Sequence, residues 1–193
     1  MATCFMTDFF MEDADAFRSE IWQMIKHRDD LIFIILTKRI ERVQECLPND
    51  WGDGYHNVIL GCTIENQKRA DQRLPIFVEL PIKYKFISCV PLLEKTDLST
   101  YLDQIKFVAV GGEIGKKARL CDYDWLLDIR DQCIQHHATF WFKNSGSRLK
   151  HHGKIKNIHP IFQNKFAKKS NINVLQIENL DVRRTFEQGK GIL

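Results

Sequence analysis

Six short apolar runs, each followed by a helical or polar stretch, constrain this chain more than anything else in it. They occupy residues 3–6, 32–36, 58–64, 86–90, 107–110 and 139–142. A strand with one wet face alternates apolar and polar residues. Runs that are apolar nearly throughout belong to strands covered on both faces, as in a parallel sheet. The intervening segments carry helical periodicity. Phe17, Ile21, Met24 and Ile25 form an i, i+4, i+7, i+8 stripe, and Trp125, Ile129 and Cys133, with Leu126 alongside, form a second. Residues 65–80 form a third helix, ended by Pro81. Consecutive βα units of this size predict an α/β fold with a parallel sheet. Right-handed crossovers leave two choices, an open doubly wound sheet or a barrel. No G-x-G-x-x-G follows the first strand and no G-x-x-x-x-G-K-[ST] occurs, so neither a dinucleotide-type Rossmann site nor a P-loop is supported.

Composition narrows the class further. With 193 residues, 44% hydrophobic and 27% charged, the chain can bury a real core. The longest apolar run, residues 31–36, is far short of the roughly 18 residues of a membrane helix. No secretory n-region and h-region opens the sequence. The cysteines (Cys4, Cys46, Cys62, Cys89, Cys121, Cys133) are scattered without C-x-x-C spacing, which argues against a disulfide framework or a zinc ribbon. Reduced thiols and a cytoplasmic location are the expectation. Cys133 and His137, at i, i+4, are the nearest approach to a metal pair, and nothing fixes further ligands. No metal site is assigned.

In parallel α/β folds ligands bind beyond the carboxyl ends of the strands. Each run here delivers polar groups to that rim: Asp8; Lys38 and Arg39; Glu65 and Asn66; Ser88; Gly111, Gly112 and Glu113; and Lys143. Carboxylates and cations converging there suit an anionic or zwitterionic small molecule. Gly111 and Gly112 permit a sharp turn or close approach to a ligand and present Glu113, which Arg119 can hold as an ion pair. Lys38 and Arg39 open a helix, where an anion is favoured. Lys143 closes the run Phe140-Trp141-Phe142, so it emerges from a buried strand, partly desolvated and tuned in proton affinity. Glu113 and Lys143 are therefore the candidate catalytic groups. Lys38, Arg39, Glu65, Asn66, Gly111, Gly112 and Arg119 are the candidate ligand-binding set. The competing reading is that strand ends are polar simply because they meet water.

Charge is unevenly spread. Residues 1–131 carry 17 Lys/Arg against 22 Asp/Glu, whereas residues 132–177 carry eight Lys/Arg, no acid and five of the seven histidines. Between residues 143 and 169 the cations alternate with Phe162 and Phe166, a combination suited to phosphate backbones and stacked bases. Arg148, Lys150, Lys154, Lys168 and Lys169 are the candidate nucleic-acid contacts. A solvated charged face is the plainer alternative.

The ordered set of these pieces resembles a known family. Cys4-Phe-Met-Thr-Asp-Phe-Phe10, Leu36-Thr-Lys-Arg39 and Glu65-Asn-Gln-Lys-Arg-Ala-Asp71 carry the likeness first. It continues through Ser88-Cys89 with Pro91-Leu92-Leu93, Gly111-Gly-Glu-Ile-Gly115 with Ala118-Arg119, Arg130-Asp-Gln-Cys133, Phe142-Lys143 and the basic stretch to Asn173. The chain is similar to the phage-type gene-product-thirty-seven/sixty-eight proteins, a domain of unknown function related to radical-SAM (β/α) barrels. The resemblance implies a parallel α/β barrel and, in a full-length relative, S-adenosylmethionine bound at a [4Fe–4S] cluster held by a C-x-x-x-C-x-x-C loop. That loop is missing here, and Val90 stands where the family pattern has a glutamate. The expectation is thus a partial (β/α) barrel over residues 1–147 lacking its first βα unit or units, with a basic segment, 148–193, packed on it. The truncation is either natural or a misassigned start. Such a chain binds a small molecule at its rim and cannot perform cluster-dependent radical chemistry alone. The alternative is a non-catalytic nucleic-acid or polyanion binding module. A partial barrel also leaves an unpaired edge through which two copies could pair.

Overall fold

The apolar runs become strands of one parallel sheet in the computed structural model, which describes residues 2–3 and 7–176. In chain order the elements are β1 (Ala2–Thr3), α1 (Asp15–His27), β2 (Phe33–Thr37), α2 (Ile40–Val43), β3 (Val58–Thr63), α3 (Gln67–Glu79), β4 (Tyr84–Cys89) and β5 (Phe107–Gly111). There follow β6 (Cys121–Asp122), α4 (Tyr123–Gln135), β7 (Thr139–Asn144), β8 (Arg148–His151), β9 (Lys154–Asn157) and α5 (Pro160–Ser170). The expected first strand, residues 3–6, falls largely outside the described residues; the other five are present within a few positions.

The sheet order is β1-β2-β3-β4-β5-β7, every neighbouring pair parallel. A doubly wound sheet reverses direction partway, and this one does not. The order advances steadily, so right-handed crossovers put every helix on one face. Burial agrees. Trp22 and Ile25 of α1, Ile40 and Val43 of α2, Leu74 and Phe77 of α3, Ile129 of α4 and Ala167 of α5 share one cluster with Ile35, Leu60, Ile87, Val108 and Phe140 of the sheet. The opposite cluster, Ile34, Ile59, Phe86, Phe107 and Ala109 with Ile32, Leu36, Tyr84 and Trp141 against it, draws on no helix residue. The sheet is open rather than closed into a barrel. On its strand-only face the Phe86 ring lies over Gly61, where a Cβ would stand 2.2 Å from the ring.

Two expectations are corrected. The core-facing stripe of α1 is not Phe17, Ile21, Met24 and Ile25: Phe17 and Met24 are 62% and 61% exposed, and the buried residues are Arg18, Trp22 and Ile25. Polar anchors turn the helix. The Trp22 indole N–H donates to the Cys46 carbonyl at 2.8 Å, and Arg18 donates to the carbonyls of Phe9 and Met11. These bonds let an i, i+4, i+7 set containing an arginine outcompete a purely apolar one. The third helix ends at Glu79, before Leu80 and Pro81, and takes Pro75 into its interior.

The hairpin of β8 and β9 was not expected. It turns through His152 and Gly153, both at positive φ, the backbone that a two-residue hairpin turn requires. β6 pairs with β8, so hydrogen bonds tie residues 121–122 to the basic segment. The outer edge of β7 is occupied by the chain itself: Phe140 and Val174 exchange backbone hydrogen bonds at 2.8 and 3.0 Å, and the Asn173 side chain accepts from Phe142 N–H. That edge therefore offers little open ladder to a second copy. Among the described residues no helix is long and apolar enough to cross a membrane.

Candidate functional site

The strand ends carry groups that the fold ties to one another. After β1, Asp8 accepts from Thr37 Oγ1 at 2.7 Å, from the backbone N–H groups of Phe10 and Lys38, and faces Arg39 at 3.3 Å. After β3, Glu65 accepts from Lys38 Nζ at 2.6 Å and from Arg73 at 2.7 Å, with its side chain 13% exposed. Burial alone would raise the Glu65 carboxyl. The Lys38 hydrogen bond and the Arg73 charge outweigh it and hold the group below its ordinary value. Lys38 and Arg39 are thus committed to carboxylates of neighbouring strands. Asn66 caps α3, its side chain accepting from Arg69 N–H at 3.0 Å.

Glu113 is clamped by Arg119 as the spacing suggested, through Nε at 2.9 Å, Nη2 at 2.6 Å and the backbone N–H at 2.7 Å. These bonds bring its carboxyl down to about 2, so it is a fixed anion near neutral pH rather than a proton carrier. Arg119→Gln removes two of the three donors, and the Glu113 carboxyl is expected to return toward its ordinary 4.5. Folding then retains less of the stability that wild type keeps above the unfolded-state value and loses as pH falls from there toward 2. Carboxyl-detected NMR titration of both proteins reads this directly; an unmoved Glu113 would show that Arg119 is not its holder.

The two glycines after β5 make their close approach to the chain's own backbone. A Cβ on Gly112 would stand 2.5 Å from the Ser145 carbonyl oxygen and 2.8 Å from Gly146 Cα, and one on Gly111 would stand 3.0 Å from Asn144 Nδ2. Gly112 N–H donates to the Asn144 carbonyl at 3.1 Å and Ser147 N–H to the Glu113 carbonyl at 2.8 Å. The loops after β5 and β7 are therefore locked together.

Lys143 stands apart from the paired groups. Phe140 and Phe142 point into the helix layer and Trp141 into the strand-only face. The β5–β7 register shifts here, Val110 facing Phe142 and Gly111 facing Asn144, which makes Lys143 the extra residue of a bulge. It is half-buried, and that burial lowers its proton affinity with no charged neighbour contributing. Among the described residues no acceptor meets its ammonium. Beside it, Asn144 is 1% exposed; its Oδ1 accepts from Gly146 N–H, and its Nδ2 is buried without a partner. Two adjacent donors at the end of β7 thus lack acceptors among the described residues. Sequence reasoning found Lys143 by following the aromatic run. Asn144 is legible as a strand-end polar group without a role, and Gly146 and Arg73 are not legible at all, because their roles depend on a bulge and on long-range contacts.

The basic segment is resolved into parts. Lys150 is not a free contact, since its ammonium bonds Asp122 at 2.7 Å. Arg148, Lys154, Lys168 and Lys169 are exposed, and so are Lys156 and Lys165.

The described cysteines do not fit an iron–sulfur cluster. Cys62, Cys89, Cys121 and Cys133 are completely buried in the layer between sheet and helices, not at the rim. Burial pushes all four thiols up, Cys121 and Cys133 to about 12, so none is a ready thiolate. Among the described residues no cluster of His, Cys, Asp and Glu could hold a metal ion.

The class so defined is an open, singly wound α/β protein whose strand-end loops are cross-linked by ion pairs. The chain belongs to the family described as "Protein of unknown function (DUF5131)", which matches residues 1–183. No curated protein and no solved structure matches the chain.

Proposed function

We propose that this chain is a section of a radical-SAM-like (β/α) barrel, of the phage gene-product kind, that binds a small anionic or zwitterionic molecule beyond its strand ends. The steady strand order with all helices on one face supports the barrel kinship, being the local topology of a (β/α) barrel. The observation that carries the binding reading is the pair of donors at the end of β7, Lys143 and the Asn144 amide, with no acceptor among the described residues. A desolvated charge and an unsatisfied amide are each costly in a folded protein unless something pairs with them. A ligand carboxylate or phosphate supplies both missing bonds. The anchored carboxylates Glu65 and Glu113 then offer acceptor oxygens to a ligand amino group or hydroxyl. β3 and β7 lie three strand spacings apart, about 14 Å along the sheet, which suits a molecule of nucleoside size with charge at one end. S-adenosylmethionine meets that description. The described thiols do not converge on a cluster, so the reading assigns this chain binding and positioning, not radical generation.

Isothermal titration with S-adenosylmethionine, methionine and adenosine monophosphate tests this. Saturable heat with at least one of them is expected, competitive among those that bind. Absence of saturation by all three at millimolar concentration would remove the reading.

A further inference from the structure

The β8–β9 hairpin and the exposed face of α5 form a second, separate surface, and we propose that it binds single-stranded nucleic acid. Every residue of β9 is exposed, including Lys154 and Lys156, with Arg148 exposed on the strand paired to it. On α5, Ile161, Phe162, Lys165, Lys168 and Lys169 follow one another at helical spacing on the side away from the buried Gln163 and Ala167. Ile161 and Phe162 are 69% and 50% exposed.

Gln163 joins the two parts into one platform. Its amide donates to Ser147 Oγ at 3.0 Å and to the Ile158 carbonyl at 3.1 Å, so helix and hairpin base are held together. His151 packs edge-on to Phe166 at 5.7 Å from the hairpin side.

Charge selects the partner. Arg148, Lys154, Lys156, Lys165, Lys168 and Lys169 take part in no ion pair among the described residues, whereas the cations of the strand-end rim are mostly paired. No acid lies between residues 132 and 177 to neutralise them. A solvated face meant only for water usually intersperses both signs, as the remainder of this chain does. Six unpaired cations over two abutting elements complement a regularly spaced polyanion. The apolar groups select the single strand: Phe162, with His159 6.3 Å away, stands exposed among the lysines and offers a ring face on which an unpaired base can stack. A duplex hides those base faces, and a lipid surface has none.

Fluorescence anisotropy of the full chain with a labelled single-stranded oligonucleotide tests the assignment. Four phosphate contacts on a single strand predict an affinity loss of about 50-fold between 50 and 200 mM salt. Phe162→Ala is expected to weaken binding about tenfold for one stacked base, and Lys165→Glu with Lys168→Glu more strongly. Both variants alter exposed positions, and unchanged circular dichroism confirms that they fold. No binding at low salt overturns the proposal. So does tighter binding to duplex DNA or to phosphatidylserine vesicles than to the single strand. Binding that Phe162→Ala leaves intact also overturns it, because the surface is then a general polyanion site. These readouts are independent of the rim ligand, since none of the substituted residues belongs to the rim.

Discussion

Lys143→Met is expected to make the protein more stable and, at the same time, unable to hold an anion at its rim. Methionine keeps an unbranched stem and removes the half-buried ammonium. Relieving that desolvation is worth on the order of 1 kcal/mol in urea unfolding. Losing a charge-assisted bond to a ligand costs roughly 1.5–3 kcal/mol, about 10- to 100-fold in affinity. The pH dependence has a definite sign. Burial lowers the folded-state proton affinity of Lys143 below its ordinary 10.5. In the window between the two values the unfolded chain binds more protons, so wild-type stability rises with pH there. The variant lacks that increment, and the stability gap between the proteins closes as pH climbs toward 10.5. Urea midpoints across the alkaline range, with calorimetric titration of the rim ligand, provide both measurements. A variant that is destabilised at neutral pH, or that binds as wild type does, would show that Lys143 is an ordinary surface residue.

Gly146→Ala carries the largest expected loss of stability, about 2–4 kcal/mol from backbone strain and overpacking together. Its φ is +69°, and a Cβ there would stand 2.7 Å from Gly112 Cα and its carbonyl carbon and 2.9 Å from Glu113 N. Backbone cannot swing aside as a flexible side chain can. Relief would separate the two loops, breaking the bonds Gly112 N–H to Asn144 and Ser147 N–H to Glu113. Gly153→Ala is the matched control, because Gly153 has φ +71° and nothing within 4 Å of its would-be Cβ. It bears the backbone cost alone, about 1 kcal/mol. Equal losses in the two variants would mean that the loop crossing contributes nothing. A shifted Glu113 titration in Gly146→Ala, absent from Gly153→Ala, would place the damage at the rim.

Which parts of this architecture were legible in advance depends on where the information is stored. The strands from β2 to β5, and β7, announce themselves because side chains on both faces are largely buried and each reads as a nearly continuous apolar run. Helix α4 was also legible, its buried Leu126, Ile129 and Cys133 belonging to the expected stripe. Helix α1 was placed correctly and faced wrongly, because hydrophobicity cannot foresee that Arg18 and Trp22 find carbonyls at Phe9, Met11 and Cys46. β8, β9 and α5 escaped because they are largely polar, and only the positive-φ turn at His152-Gly153 left a faint trace.

The candidate site divides along the same line. Strand-end position identified Lys38, Arg39, Glu65, Glu113 and Lys143 without distinguishing among them. Their differing fates arise from contacts between segments far apart in the chain: Lys38 meets Glu65 across 27 residues and Arg39 meets Asp8 across 31, while Lys143 meets no carboxylate among the described residues. By itself the sequence determined the repeated βα units, and with them the end of the sheet at which polar groups collect, because side-chain periodicity is local. Only the tertiary structure decided that the sheet winds one way and that the β5 and β7 loops cross at Gly112 and Gly146. It also decided that Lys143 is left without a carboxylate among the described residues. Charge pairing and backbone contact act over a few ångströms and depend on which distant segments folding brings together.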